Sequence, residues 1–258
     1  MARVPRVRLP RRLDHGEEAS IVEHLDELRQ RLFVCIGAVA VGMVAGYVLH
    51  HRLIRLLVET LPKKHQTLHS FTVGEAFITV MWVSIYFGLI LAFPVILWQA
   101  WAFFTPAVQE GRVKLIKWFV ALGAVLAVCG LLFGYFVTLP AAEHFLTNYD
   151  SNQIDLVLRA RDFLTFCVTV LLAMTLVFEL PLFIVGATQM GIITTAKIRK
   201  NRRMGYFLVA CLGVALPGVD PVTTTIETIP LFFLFELAIW LSAFLDRRAG
   251  RSSAPSEA

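Results

Sequence analysis

Charged residues are scarce in this sequence, and their scarcity decides its class. Only 17% of the 258 residues are Asp, Glu, Lys or Arg, whereas an ordinary soluble domain has about 25%. Hydrophobic residues make up 57% of the chain and the mean hydropathy is +0.68, so a soluble enzyme is excluded. The apolar residues are grouped in blocks without Lys or Arg, which is typical of a multispanning helical membrane protein.

Cysteine pairs and catalytic motifs are also missing. The cysteines lie in four different apolar blocks, with no CxxC spacing and no His or Asp at the spacing of a metal ligand. Neither a disulfide nor a metal site is therefore predicted, and the cysteines are interpreted as small core residues. No HExxH, GxSxG or Walker-type segment occurs, so we expect no enzymatic activity and no cofactor.

Six apolar runs predict an all-α membrane protein with six transmembrane helices. The predicted spans are 32–49, 76–98, 118–139, 163–185, a short run between Arg203 and Pro217, and 226–245. The fifth has only about a dozen apolar residues, which reach roughly 18 Å, whereas the hydrocarbon core is about 30 Å thick. We expect Pro140 to end the third span, and Glu179 with Pro181 to interrupt the fourth. No small-residue cleavage site follows the first run, which predicts an uncleaved anchor.

The distribution of Lys and Arg predicts the orientation. Six spans place both termini on one side, and 18 of the 24 Lys and Arg residues fall in the segments on that side. Because cytoplasmic loops are enriched in these residues, both termini are predicted to be cytoplasmic. We expect a six-span bundle over residues 20–245, between disordered cytoplasmic tails at 1–19 and 246–258. The net charge of +5 follows from this topology, so no nucleic-acid partner is expected.

The amino-terminal segment has an unusual run of acids. Residues 13–27 contain six Asp or Glu and no Lys or Arg, on the side where cations should prevail. A capping-box pattern at 20–23 and apolar residues at helical spacing predict an amphipathic helix leading into the first span, with Glu27 on its open face. The acids are either a solvated face that balances nearby arginines or a docking patch for a cationic peptide, because carboxylates match the guanidinium fork.

Two acids, Glu179 and Glu236, lie within predicted spans. A carboxyl at that depth is costly, so it usually faces a partner, water or another helix. Thr165 and Thr175 lie close to Glu179 on a helical wheel, which gives a polar stripe on a helix that we expect to face lipid. Glu179 either has a functional role or bonds internally, for instance to Thr175. For Glu236, a functional and a structural role are equally compatible with the sequence.

The loop before the sixth span is rich in turn-forming residues. It reads LPGVDP at 216–221 and is followed by three threonines and Glu227. Asp220 is either a residue that starts the next helix or a charge that lines a path.

Six segments together resemble the TatC family, the polytopic subunit of the twin-arginine protein translocase. They are HLDELRQR at 24–31, PVILWQAWAF at 94–103, FGYF at 133–136, FELP at 178–181, MGI at 190–192, and IP at 229–230 with LFE at 234–236. Each segment alone is weak, but six in this order are specific. The resemblance implies a cupped bundle of six helices in the bacterial inner membrane, with both ends cytoplasmic and short fifth and sixth spans.

The resemblance also implies a function. TatC-like proteins bind the twin-arginine signal peptides of folded precursors at the cytoplasmic face, within a translocase that is driven by the proton-motive force. By position, the signal-peptide site would consist of His24, Glu27, Arg29, Phe103 and Glu110. The family usually has its second Glu at the position of Arg112. Glu110 is included because it lies two residues before that position and could take the role of the missing Glu.

Further implied roles concern partners and the translocation route. Glu179 with Thr175 would contact the single-span partners TatA and TatB, and several copies of the chain would assemble in the receptor complex. Asp220 and Glu227 would belong to the outer loop on the translocation route, although Thr224 stands where many relatives have Gln. The runner-up function is a proton-coupled small-molecule carrier, suggested by the buried carboxyls and by prolines within the spans. The internal repeat that is common in carriers is not visible.

Overall fold

The structure, a computed structural model, describes residues 21–104, 113–149, 156–218 and 220–248. The helices in these ranges are α1 (Ile21–Glu59), α2 (Glu75–Phe104), α3 (Val113–Phe133), α4 (Leu139–Asn148), α5 (Ala160–Val177), α6 (Leu180–Gln189), α7 (Thr195–Lys200), α8 (Arg202–Ala215) and α9 (Pro221–Arg248). The described ranges contain no β-structure beyond one isolated bridge between His69 and Arg159. The prediction of an all-α fold is confirmed.

Six membrane-spanning elements follow from these helices. Five are long and apolar enough to cross a bilayer: α1, α2, α3 with α4, α5 with α6, and α9. The remaining element, α8, has 14 residues and reaches about 21 Å, so the prediction of a short fifth span is confirmed. A short sixth span is not found, because α9 has 28 residues. The acids Glu227 and Glu236 do not end it, since Glu227 is buried and Glu236 is hydrogen-bonded.

The third span does not end at Pro140, so that prediction is wrong. Helix α3 continues through a π-helical turn at Gly134–Thr138 into α4, and Pro140 lies in the first turn of α4. In the π turn the Leu139 N–H donates to the Gly134 carbonyl oxygen, five residues back. The wider turn relieves the clash that a proline ring makes with the preceding helical turn.

The fourth span is interrupted where the sequence predicts. Helix α5 ends at Val177 and α6 begins at Leu180, so Phe178 and Glu179 form the break. Pro181 lies in the first turn of α6, where a proline is tolerated because the first N–H groups of a helix have no intrahelical acceptor. The break places Glu179 at the start of α6.

The packing puts this broken span inside the protein. Helix α5 packs against α1, α2 and α3, while α6 and α8 pack against α9. Of the five long spans, α5 with α6 is the most buried. Helices α1 and α2 cross at two glycines: a Cβ atom on Gly42 would lie 2.8 Å from the Gly88 carbonyl oxygen, so only glycine allows this close approach. Polar groups on α5 and α6 therefore face protein more than lipid.

Candidate functional site

The first turns of α1 hold an arginine between a carboxylate and an amide. Arg31 donates to Glu27 Oε1 from Nε at 3.0 Å and from Nη2 at 2.5 Å. Its Nη1 donates to Gln99 Oε1 of α2 at 3.1 Å. Glu27 and Arg31 are four residues apart and therefore lie on one helix face. The site thus already binds one guanidinium group and ties the start of α1 to the last turns of α2.

The structure brings some of the predicted peptide-binding residues together and separates others. Phe103 follows Gln99 by one turn of α2 and is half-buried, so it lies on the same face of α2 as Gln99. Arg29 points elsewhere, because its guanidinium carbon lies 5.7 Å from the centre of the Phe33 ring. His24 belongs to α1, but its side chain is not among those described. Glu110 lies outside the described residues.

Glu179 is fully buried, so the expectation of a lipid-facing carboxyl is wrong. A Cβ atom on Gly123 of α3 would lie 3.0 Å from Glu179 Oε2 and 2.9 Å from Leu182 Cδ2, which shows that the carboxyl packs against α3. Neither Glu179 oxygen accepts a hydrogen bond from a described residue. Thr175, also buried, donates its hydroxyl to the Leu171 carbonyl oxygen at 2.8 Å. The predicted internal bond from Thr175 to Glu179 is therefore not formed.

The sequence left the role of Glu236 open, and the structure shows which groups it contacts. The Tyr206 hydroxyl donates to Glu236 Oε1, and Arg202 Nη2 lies 3.6 Å from Oε2. Tyr206 and Arg202 belong to α8, and Glu236 belongs to α9. The carboxylate therefore joins the short fifth span to the sixth.

The start of α9 is capped by Asp220. Its Oδ1 accepts the Thr223 N–H at 2.7 Å and its Oδ2 accepts the Thr223 hydroxyl at 2.5 Å, so the interpretation as a helix-start residue is confirmed. Two turns further on, Glu227 is 1% exposed. Neither of its carboxyl oxygens accepts a hydrogen bond from the described part of the chain. Of Asp220 and Glu227, therefore, only Asp220 is satisfied by neighbouring groups among the described residues.

An ion pair between a buried acid and a partly exposed arginine lies at the same end of the bundle and is absent from the sequence-based predictions. Glu75 is 2% exposed and accepts from Arg159 Nε at 2.7 Å and from Nη2 at 3.3 Å. The Phe71 and Thr72 N–H groups donate to the same carboxylate at 3.0 and 3.3 Å. The sequence does carry a signal, since an acid and an arginine stand directly before two spans that start on the same side. The pair fastens the start of α2 to the start of α5.

Glu143 of α4 is a second buried acid that sequence reasoning missed. It is 3% exposed, and the Thr60 hydroxyl oxygen lies 2.8 Å from its Oε1. The Cys167 thiol lies 3.8 Å from the same atom. These contacts join the end of α1 to α4 and α5. Glu143 lies just beyond the expected end of the third span, so no intramembrane position pointed to it.

Comparisons with known proteins agree with one another. A family model described as Sec-independent protein translocase protein (TatC) matches residues 23–230. TatC of Escherichia coli strain K12 is 32% identical over 87% of this chain and 88% of its own length. TatCy of Bacillus subtilis strain 168 is 28% identical over 92% and 94%. A crystal structure of the twin arginine translocase receptor TatC in DDM superposes with a TM-score of 0.76 at 27% identity, covering 85% of this chain and 99% of that chain.

These matches agree with the geometry. The similarity includes the start of α1 with Glu27, the broken fourth span with Glu179 and the capped start of α9 with Asp220. The six membrane helices of the bundle are those of the matched fold. Sequence, family model and fold together show that the chain belongs to the TatC family and is a component of the Sec-independent protein translocase, not an enzyme.

Proposed function

We propose that this chain receives the twin-arginine signal peptides of folded precursor proteins, at the end of the bundle where α1 starts and α2 ends. It would be the core subunit of a translocase that exports these proteins across the bacterial inner membrane. The observation that carries the proposal is the guanidinium already held by Glu27 and Gln99. A carboxylate and an amide oxygen that hold one arginine have the chemistry to hold an arginine of a peptide.

Accessibility and charge support the same site. The Glu27 side chain is 37% exposed, so a peptide can reach it from solution. The acidic run of residues 13–27 ends at Glu27 and would raise the local concentration of a cationic peptide. Phe103 adds an aromatic group on the α2 side, which suits the apolar part of a signal peptide. Arg29 and His24 belong to the same helix start, and their contribution, like that of Glu110, stays a prediction.

The test is peptide binding to the purified chain. A fluorescent twin-arginine signal peptide and a Lys-Lys version are titrated in detergent, and binding is measured by fluorescence anisotropy. The Arg-Arg peptide should bind more tightly, because lysine lacks the planar fork that matches a carboxylate. Glu27→Gln should weaken binding about 5- to 30-fold, the equivalent of about 1–2 kcal/mol.

A matched control separates contact from charge. Asp26→Asn removes the same charge one residue away, about 100° around the helix from Glu27, and should change the affinity far less. If Glu27→Gln and the parent bind the Arg-Arg peptide equally, or if Asp26→Asn has the larger effect, this site does not hold the signal peptide.

The partners proposed for this chain are TatA and TatB, which would contact the fourth span at Glu179. Support comes from the carboxyl itself: a buried acid without a hydrogen bond from the described residues would gain from a polar group on an incoming helix. Because Glu179 packs against α3, such a helix must approach where α3 and α6 meet. Interhelical bonds of this kind are worth roughly 0.6 kcal/mol on average, so Glu179 would tune the assembly.

Disulfide crosslinking can test this contact. A cysteine at Leu176, which is 48% exposed on the lipid side of α5, should crosslink to a partner helix, and Glu179→Ala should reduce that crosslinking. Peptide binding at Glu27 should be nearly unchanged in the same variant. Loss of peptide binding with crosslinking preserved would reverse the two assignments.

The orientation, the energy source and the oligomeric state are part of the same proposal. Both termini would be cytoplasmic, because most Lys and Arg lie on their side of the membrane. The proton-motive force would supply the energy, and several copies would form the receptor complex. Asp220 and Glu227 would line the outer end of the route. The small-molecule carrier is set aside, because the family to which the chain belongs is a protein translocase.

A further inference from the structure

A small pocket that contains basic residues lies between α7, the start of α8 and the last turns of α9. It has a volume of about 210 Å³. Three arginines line it, namely Arg199, Arg202 and Arg247, together with apolar side chains that include Trp240 and Phe244. The pocket surface is thus mostly apolar, with a basic part formed by the three arginines. None of the residues proposed to contact the signal peptide or a partner helix lines this pocket.

The spacing of the residues in α9 places the apolar and basic parts of the pocket one after the other along the membrane normal. Trp240, Phe244 and Arg247 are spaced four and three residues apart, so they lie on one helix face. Seven residues rise about 10 Å along the axis, so Arg247 is attached to the helix about 10 Å nearer its end than Trp240. The aromatic rings lie on the membrane side and the arginine lies at the helix end.

The pocket has an excess of positive charge. Arg202 is 3.6 Å from Glu236, so one of the three arginines is paired. The other nearby acid, Asp246, accepts a hydrogen bond from Thr195 of α7 at 2.6 Å. Among the described residues no carboxylate forms an ion pair with Arg199 or Arg247. Arg199 and Arg247 therefore line the pocket without a counterion from the described residues.

The exposed apolar residues indicate what else the ligand must offer. Trp240 is 74% exposed and Phe244 is 50% exposed, and both belong to a membrane-spanning helix, so the exposed parts of their surfaces face lipid. A ligand that contacts both parts of the pocket carries a phosphate group, which binds the arginine guanidinium groups, and an acyl chain, which packs on the aromatic rings. Inorganic phosphate would make no contact with the apolar part of the pocket.

We propose that this pocket binds the headgroup of an anionic phospholipid of the phosphatidylglycerol type. The lipid phosphate contacts Arg199 and Arg247, and the first part of an acyl chain lies along Trp240 and Phe244. A bound lipid would also cover the contact between the short α8 and α9, where the bilayer has to adapt to a helix of only 14 residues.

Native mass spectrometry of the purified full chain in detergent tests the proposal. Phosphatidylglycerol and phosphatidylcholine with identical acyl chains are titrated in turn, and phosphatidylglycerol should bind at least fivefold more tightly. Near a membrane surface each arginine is worth about 1 kcal/mol toward an anionic lipid, or about fivefold in affinity. Arg199→Gln with Arg247→Gln should therefore lose roughly 30-fold, and Arg247→Gln alone about fivefold.

The matched control is Lys200→Gln with Arg203→Gln. It removes the same charge at the same end of the bundle, but neither residue lines the pocket, so binding should be retained. Equal binding of the two lipids by the unaltered chain overturns the proposal without any variant and leaves the arginines to an acidic protein segment. An equal loss in the control overturns it in favour of general surface attraction. Displacement of phosphatidylglycerol by excess inorganic phosphate, with no dependence on the acyl chain, would identify a free-phosphate site instead.

Discussion

Replacing Arg31 by Gln should strengthen signal-peptide binding. In the structure Arg31 occupies Glu27 Oε1 through two of its nitrogens and also uses the Gln99 amide oxygen. If an arginine of the signal peptide uses the same carboxylate, it must displace Arg31 or share Glu27 with it. The internal arginine therefore acts as a competitor that is always present at the site. Removing it frees the carboxylate and also removes one positive charge that repels the peptide.

The size of the effect follows from the exposure of the pair. The side chains of Arg31 and Glu27 are 25% and 37% exposed, so solvent screens their attraction. Such a pair four residues apart on a helix contributes about 0.3–1 kcal/mol, and Arg31→Gln should raise peptide affinity about two- to fivefold. The same competition reduces the effect of Glu27→Gln. A charged hydrogen bond gives about 1.5–3 kcal/mol, and subtracting the lost internal pair leaves roughly 1–2 kcal/mol.

The assay is the anisotropy titration with the Arg-Arg peptide, applied to both single variants and to the double variant Glu27→Gln with Arg31→Gln. The double variant is the decisive measurement, because without Glu27 the removal of Arg31 should no longer increase affinity. A gain that persists in the double variant would mean that Arg31 acts only through long-range repulsion. A lower affinity of Arg31→Gln would refute the competition and show that Arg31 orients the carboxylate for the peptide.

Three further predictions concern stability and lipid. Arg159→Gln should lower the midpoint of thermal unfolding in detergent, because it leaves the buried Glu75 without a charged partner, with only the Phe71 and Thr72 N–H groups and the Thr72 hydroxyl as donors among the described residues; the double variant with Glu75→Gln should recover part of the loss. Gly123→Ala should cost about 1–3 kcal/mol, because the new methyl group meets the side chains of Leu97, Leu182 and Glu179, whereas Gly37→Ala, with no atom within 4 Å of its Cβ, should be neutral or stabilising in the same measurement. Spin labels along α8 should report a thinned or hydrated bilayer, since this helix is about 9 Å shorter than the hydrocarbon core; a full-thickness, water-free profile would contradict it.

Much of the fold could be read from local patterns. The short fifth span and the break at Glu179 were predicted because missing apolar residues, a charge and a proline act where they stand in the chain. The cap by Asp220 was among the alternatives for the same reason. Pro140 misled the prediction. A π turn, in which the N–H group donates to the carbonyl oxygen five residues back, accommodates a proline without ending the helix. Whether a helix bends or stops depends on what it packs against.

In the candidate site, too, the sequence predicts some features and only the packing of the helices decides the others. The motif at 24–31 pointed to Glu27 as a site for arginine, and the structure places a guanidinium on it. The sequence could not reveal that the guanidinium belongs to Arg31, or that Gln99 of another helix shares it. Glu179 was correctly singled out as an intramembrane acid, but its direction was wrong, because a glycine on α3 opens the space that the carboxyl fills.

The sequence by itself determined the class of protein, the number of membrane spans, the short fifth span and the family. These properties depend on the transfer of consecutive residues between water and lipid and on motifs read in order, so they need no knowledge of neighbours in space. Only the tertiary structure decided which polar side chains meet. Glu75 and Arg159 are 84 residues apart in the chain, and Tyr206 and Glu236 are 30 residues apart. Their pairing depends on how helices pack, because helix packing alone brings distant side chains within hydrogen-bond distance.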